Sequence, residues 1–87
     1  MEVYAKAKAT KSMHYADTLY NIGLAYFIKG EMDDAINFYR EASEVYAKES
    51  IGYANTLSNL GLAYYNKGEM ENAIDFYREA LVVYKKV

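Results

Sequence analysis

The feature that most constrains this chain is an internal repeat. Residues 15–26 read YADTLYNIGLAY, and residues 53–64 read YANTLSNLGLAY. The two segments are 38 residues apart, and 20 of the 29 positions from 15 to 43 are identical in the second copy. Because so many positions are identical, we expect the two copies to share one fold. One short repeat unit cannot bury its apolar face alone, so we also expect the copies to pack against each other.

Apolar residues within each copy recur at helical spacing. Leu19, Ile22 and Tyr26 follow the pattern i, i+3 and i+7 that marks one face of an α-helix. Gly30 and Gly68 can adopt the left-handed conformation that ends a helix. The pattern predicts four helices, at residues 13–29, 32–48, 51–67 and 70–86, with Ser12 and Ser50 as N-caps of the first and third.

The composition favours an all-α fold that is stabilised by apolar packing. The chain has 87 residues, 53% of them hydrophobic, and contains no Pro, Trp or Cys. This length predicts a single small domain. Since there is no thiol and no evident cluster of metal ligands, neither disulfides nor a structural metal would stabilise it.

Charge and hydropathy argue against two classes of partner. The formal net charge is −2, and the acidic and basic residues are intermixed without a basic block, so nucleic acid is not expected. The longest apolar runs, such as residues 24–28 and 80–84, are far shorter than the ~20 residues of a membrane span, so no membrane is expected either. A chain without cysteine suits a reducing compartment without requiring one, and we expect it to be cytoplasmic.

The N-terminal residues 1–12 have a different relation to the repeat. Residues 2–6 copy residues 44–48, EVYAK, but at an offset of 42 residues. One interpretation is that the chain begins with the tail of a preceding second-type helix. The other is a helical extension rich in Ala and Lys.

The repeated residues resemble the tetratricopeptide repeat family. Its signature places Leu-Gly-x-x-Tyr on the first helix of a repeat and spaced Ala, aromatic and Ala residues on the second. The matching positions are Ile22, Gly23, Tyr26, Ala35, Tyr39 and Ala42 in the first copy and Leu60, Gly61, Tyr64, Ala73, Tyr77 and Ala80 in the second. The sequence departs from the family at Leu19 and Leu57, where Trp is preferred, and at Ala47 and Lys85, where Pro is preferred.

The resemblance implies an all-α, right-handed superhelix of two antiparallel helix hairpins, preceded by a short N-terminal helical segment. The repeats would span residues 13–49 and 50–87, and their period is similar to that of the family's longer-repeat branch. Tyr26, Tyr39, Tyr64 and Tyr77 would be core residues. Mid-helix Gly costs about 1 kcal/mol relative to Ala, so we expect Gly23 and Gly61 to let the second helix approach closely at Ala35 and Ala73.

The sequence offers little for catalysis. His14 is the only histidine, and there is no Gly-rich phosphate loop and no pair of metal-binding motifs. His14 is interpreted as an exposed bystander near a helix start. Acidic residues such as Asp33 and Asp34 are explained by the positive end of the helix that they begin. We therefore expect neither an enzyme nor a cofactor.

The resemblance places a partner-binding groove on the concave face, along the first helix of each repeat. Its lining would be Asp17, Tyr20, Asn21, Leu24, Phe27 and Ile28 in the first repeat and Asn55, Ser58, Asn59, Leu62, Tyr65 and Asn66 in the second. Asn21 and Asn59 could hold a peptide backbone, because an amide both donates and accepts hydrogen bonds. The alternative is that Asn at this position bridges neighbouring helices.

The last helix is unusually apolar for an end of a solenoid. Leu81 and Val82 stand where the first copy has Ser43 and Glu44, although terminal faces are normally polar. A self-association face would comprise Tyr77, Leu81, Val82 and Tyr84. The sequence thus predicts a module that binds a protein or peptide. The alternative is a self-assembling structural unit, an excerpt or engineered version of a longer repeat array, that forms a homo-oligomer through this helix.

Overall fold

The computed structural model describes residues 11–87, with side chains from Met13 onward. Helix α1 spans Ala16–Lys29, α2 spans Met32–Val45, α3 spans Ile51–Lys67 and α4 spans Met70–Lys86. A π-helical turn at Lys11–Tyr15 leads into α1. These four helices confirm the predicted all-α fold over the described part of the chain. The N-terminal helical segment expected before residue 11 lies outside the described residues.

Glycine ends the first helix of each hairpin. Gly30 and Gly68 have φ angles of 91° and 89°, in the left-handed region that residues with a Cβ atom rarely adopt. The next amides close the turn, since the N–H groups of Glu31 and Glu69 donate to the carbonyls of Tyr26 and Tyr64, each at 2.9 Å. The glycine amides donate as well, Gly30 to the Phe27 carbonyl at 3.0 Å and Gly68 to that of Tyr65 at 2.9 Å. The two bonds at each turn form the Schellman pattern of a helix C-terminus. The chain therefore reverses direction at the two predicted places.

One of the two predicted N-caps is confirmed and the other is wrong. Ser50 caps α3, because its Oγ accepts a hydrogen bond from the amide of Tyr53 at 3.1 Å. Ser12 does not begin α1: the backbone is already helical from Lys11, so Ser12 lies inside a turn rather than ahead of it. Ser12 therefore does not act as the predicted N-cap, because the helical turn begins closer to the N-terminus than the spacing predicts.

Helix α2 ends earlier than predicted. Residues 46–48 were expected to continue the helix, but Tyr46 has an extended backbone with φ −63° and ψ 145°. The turn that follows is closed by the Ser50 amide and hydroxyl, which both donate to the Ala47 carbonyl. The physical cause is tertiary, because the Tyr46 ring packs against Gly52 at the start of α3.

Each helix packs against its neighbours in sequence, which gives an antiparallel stack of two hairpins. The core lies between α2, α3 and α4. Its largest fully buried side chains are Tyr39, Leu60 and Thr56. Cα atoms of α1 and α3 come within 8 Å of one another, whereas those of α2 and α4 do not. The stack is therefore closer on the α1 and α3 side, which makes that side the concave one.

Close packing explains the two mid-helix glycines, as predicted. A Cβ atom on Gly23 would lie 2.9 Å from Cδ1 of Tyr39 and 3.3 Å from the carbonyl oxygen of Ala35. On Gly61 the equivalent distances, to Tyr77 and Ala73, would be 2.9 and 3.1 Å. Separations this short are well inside van der Waals contact. Both glycines are therefore packing residues of the hairpins.

Candidate functional site

The concave face carries an open depression between α1 and α3. It has a volume of about 430 Å³ and is lined by Asp17, Tyr20, Asn21, Tyr46, Ile51, Gly52 and Asn55. Four of these residues belong to the predicted groove. Tyr46, Ile51 and Gly52 do not, since they come from the connection between the repeats and the start of α3. The seven lining residues come from both repeats and are far apart along the chain. They lie together only because the chain folds.

Tyr46 forms one wall of this depression. Its hydroxyl donates a hydrogen bond to Oδ1 of Asp17, and its ring covers Gly52, where a Cβ atom would lie 2.5 Å from Cε1 of the ring. Burial raises the pKa of Tyr46, and the bonded Asp17 carboxylate raises it further, because both disfavour a phenolate there. The sequence signal for this contact was Gly52, which has no side chain and so leaves room for the ring at the start of α3.

The second repeat copies this hydrogen bond. The hydroxyl of Tyr84 donates to Oδ1 of Asn55, the residues equivalent to Tyr46 and Asp17. The backbone differs, because Tyr84 lies within α4 whereas Tyr46 is extended. Asp17 and Asn55 are thus held at the groove edge by tyrosines of their own repeats.

Asn59 bridges helices. Its Nδ2 atom donates to the Tyr20 hydroxyl at 2.8 Å and lies 3.4 Å from the Tyr39 hydroxyl. Burial raises the pKa of Tyr39 to about 12, while the Asn59 hydrogen bond acts in the opposite direction. This arrangement agrees with the alternative interpretation of Asn59 as a connector between helices. Asn21, the equivalent residue in the first repeat, is exposed.

The apolar residues of the predicted groove divide into exposed and covered ones. The exposed fractions are 37% for Leu24, 76% for Ile28, 39% for Leu62 and 54% for Tyr65. Phe27 is half-buried and packs against the core. These four exposed side chains lie on α1 and α3, and none of them lines the depression.

The remaining polar positions of α3 differ in exposure. Ser58 is half-buried. Asn66 is exposed, and its Nδ2 atom lies 3.9 Å from Sδ of Met32, across the ends of α3 and α2.

The outer face of α4 is the second exposed apolar surface. Ile74, Tyr77, Leu81, Val82 and Tyr84 are 49%, 38%, 54%, 54% and 39% exposed. The expectation that all four signature tyrosines are core residues is wrong for Tyr77. Tyr39 and Tyr64 are buried and Tyr26 is half-buried, but Tyr77 has no helix beyond it in the described part of the chain.

Over the residues described, His, Cys, Asp and Glu do not gather in any group of three that could hold a metal ion. His14 is exposed, as expected of a bystander. None of the described helices is long and apolar enough to cross a membrane.

Comparison with known families agrees with this architecture. The family model described as "Tetratricopeptide repeat" matches residues 14–86. Since this covers most of the chain, the protein belongs to the tetratricopeptide repeat family, a non-catalytic interaction fold whose domains bind proteins or peptides. A search of curated proteins found no match.

Proposed function

We propose that this protein binds a peptide or a segment of a partner protein in the concave groove between α1 and α3. The observation that carries the proposal is the exposed apolar surface of Leu24, Ile28, Leu62 and Tyr65. Exposed apolar side chains grouped on one concave surface are typical of a recognition site.

The chemistry of the groove indicates what kind of segment it would hold. Its twelve predicted lining residues include no Lys or Arg, and Asp17 is their only charged residue. A ligand that depends on a carboxylate would find no cation to pair with. An apolar peptide segment, helical or extended, would find Leu and aromatic contacts on both helices. In this proposal the exposed amide of Asn21 hydrogen-bonds the backbone of the bound segment.

Asn59 contributes indirectly in this proposal. Because its amide already joins Tyr20 and Tyr39, its replacement would disturb packing as well as recognition. A test of the groove should therefore use residues that are exposed, so that binding changes are not caused by loss of the fold.

The experiment is to select peptides from a random display library on the immobilised chain and to titrate the best binder by calorimetry. Leu62→Asp should weaken binding by at least about tenfold, because a charge would be buried under the ligand. Val82→Asp is the control, since Val82 is also an exposed apolar residue but lies on α4. Equal affinity of wild type and Leu62→Asp, or a loss confined to Val82→Asp, would refute the groove.

Self-assembly through α4 is the second candidate function. It is supported by the exposure of Tyr77, Leu81, Val82 and Tyr84 on one helix. Burial of Leu81 and Val82 could contribute about 1.5–3 kcal/mol each. A rise of molar mass with concentration, measured by light scattering and reduced by Leu81→Glu, is the expected result. A monomer at every concentration would contradict it.

A further inference from the structure

We infer that two copies of this chain associate head to tail, with α1 of one copy docked on the outer face of α4 of the next. This inference rests on self-assembly, the second candidate function, and adds which surface of the other copy is bound. It follows from the junction between α2 and α3 within the chain, because the residues that form that junction recur on α1 and α4, on surfaces that no other described helix covers.

The internal junction is defined by a set of direct contacts. Nη2 of Arg40 donates to the Tyr64 hydroxyl at 2.7 Å, and Asn59 Nδ2 lies 3.4 Å from the Tyr39 hydroxyl. Nζ of Lys67 pairs with the Asp33 carboxylate at 2.7 Å. The α2 side of the junction is thus polar at its edges and apolar at its centre, where Ile36 is 6% and Tyr39 0% exposed.

The outer face of α4 repeats the α2 side of this junction. Ile74, Tyr77 and Arg78 occupy the positions of Ile36, Tyr39 and Arg40, and Glu71 keeps the charge of Asp33. All four are exposed. Leu81 replaces Ser43, so this face is more apolar than its internal equivalent.

Helix α1 repeats the α3 side. Asn21, Tyr26 and Lys29 occupy the positions of Asn59, Tyr64 and Lys67. Ala25 occupies the position of Ala63 and Thr18 that of Thr56. Ala63 and Thr56 are 0% exposed, whereas Ala25 and Thr18 are exposed.

Three polar contacts of the internal junction therefore have both partners available between copies. The fourth, between Asn66 and Met32, does not, because Ile28 occupies the position of Asn66. Arg78 can donate to Tyr26, Asn21 can reach Tyr77, and Lys29 can pair with Glu71. Tyr26 is already oriented as Tyr64 is, since both stack on the phenylalanine of their own repeat with ring centroids 5.6 and 5.5 Å apart. This continuity with a packed junction favours a second copy over an unrelated occupant.

The two surfaces also differ from the internal junction at the start of α1. Internally the Tyr46 ring covers Gly52, but the equivalent of Gly52 in α1 is His14. The His14 side chain would occupy the space of the ring, so we expect the junction between copies to be weaker than the internal one. Such a contact joins two different surfaces, so the copy at each end of an assembly keeps one unused surface. Further copies can therefore add to either end.

Two variants test the inference. Ala25→Glu blocks the α1 surface, and Ile74→Glu blocks the α4 surface; both residues are exposed, so neither change disturbs the core. Wild type should increase in mass with concentration by analytical ultracentrifugation, and each variant alone should be monomeric. The mixture should form a one-to-one pair, because each variant keeps the surface that the other lacks. Asn37→Glu, an equal charge change at an exposed site on α2, should associate like wild type.

The outcomes separate the two levels of the claim. If wild type stays monomeric up to millimolar concentration, self-assembly itself fails. If wild type associates but Ala25→Glu does so equally, self-assembly stands and the head-to-tail arrangement is wrong, because two α4 faces would then meet each other. If the variants do not pair when mixed, the arrangement is also overturned. Circular dichroism must report the same helix content for all four proteins.

Discussion

The two repeats of this protein have similar sequences, but equivalent side chains of α2 and α4 differ in how far they are buried. Ile36 is 6% exposed and its equivalent Ile74 is 49% exposed, while Tyr39 is fully buried and Tyr77 is 38% exposed. Helix α3 covers the first pair, and no described helix covers the second. Burial at a repeat position therefore depends on the neighbouring helix and not on the residue, as in a stack whose units contact only their neighbours.

The largest expected effect separates Ile36 from Ile74. Ile36→Ala should lower the free energy of unfolding by about 2–5 kcal/mol, because it leaves a cavity in a packed core. Ile74→Ala should cost about 1 kcal/mol or less, since the side chain is half-exposed. Urea denaturation at low protein concentration, where the chains are monomeric, measures both. Equal losses would mean that α4 is as well covered as α2.

Substitutions of the two mid-helix glycines should also differ in their effect on stability. Gly23→Ala should destabilise the fold by about 1–3 kcal/mol, because its Cβ atom would press on Tyr39, which α3 holds in place. Gly61→Ala should cost less, since Tyr77 can move outward and alanine favours the helix by about 1 kcal/mol. Thermal unfolding of the two variants gives the ranking. A reversed order would contradict a more rigid first repeat.

Alkaline pH tests the burial of Tyr39. Its pKa is raised from 10.0 to about 12 in the folded chain, so the unfolded chain releases this proton first. The contribution of Tyr39 to stability should therefore be intact below pH 10 and decline by about 1.4 kcal/mol per pH unit between the two values.

Tyr39→Phe should flatten the fall of stability with pH, measured by urea denaturation above pH 10. Tyr77→Phe removes the equivalent hydroxyl of the second repeat and serves as its control. A greater flattening by Tyr77→Phe than by Tyr39→Phe would contradict the assigned difference in burial.

The smallest expected effect concerns the ion pair at the edge of the junction. The Asp33 carboxylate raises the pKa of Lys67, but the pair is at the surface, where salt screens it. Asp33→Asn should lower the melting temperature slightly at low salt and not at high salt. Glu71→Gln, at the equivalent site of α4, should lower the melting temperature less. Glu71 has no ion-pair partner among the residues described and loses only its interaction with the helix N-terminus. An equal effect at Glu71 would indicate a partner for α4.

Much of the fold was predictable because its signals are local. Gly30, Gly68 and Ser50 mark helix ends through backbone geometry and capping, and the predicted limits of α3 and α4 agree with the structure. The end of α2 was not predictable from spacing, because Tyr46 leaves the helix to pack on Gly52 and bond Asp17, residues of two other segments.

The candidate groove was predictable only in part. The positions of its residues on α1 and α3 follow from the repeat, but their availability does not. Phe27 and Asn59 are drawn into packing and hydrogen bonds across helices, whereas Leu24 and Tyr65 stay exposed. The assignment of the groove to a partner, and of the two repeats to residues 13–49 and 50–87, stays a prediction.

The amino-acid sequence predicts that the four described helices exist, where the two glycine turns lie, the repeat and the family, because periodicity and glycine geometry act within a few residues along the chain. It does not predict where α1 begins or where α2 ends. Only the tertiary structure decided which copy of each repeated residue is buried. Tyr39 and Tyr77 have nearly the same neighbours along the chain, and the difference between them comes from α3, which packs on Tyr39, whereas no further described helix packs on Tyr77.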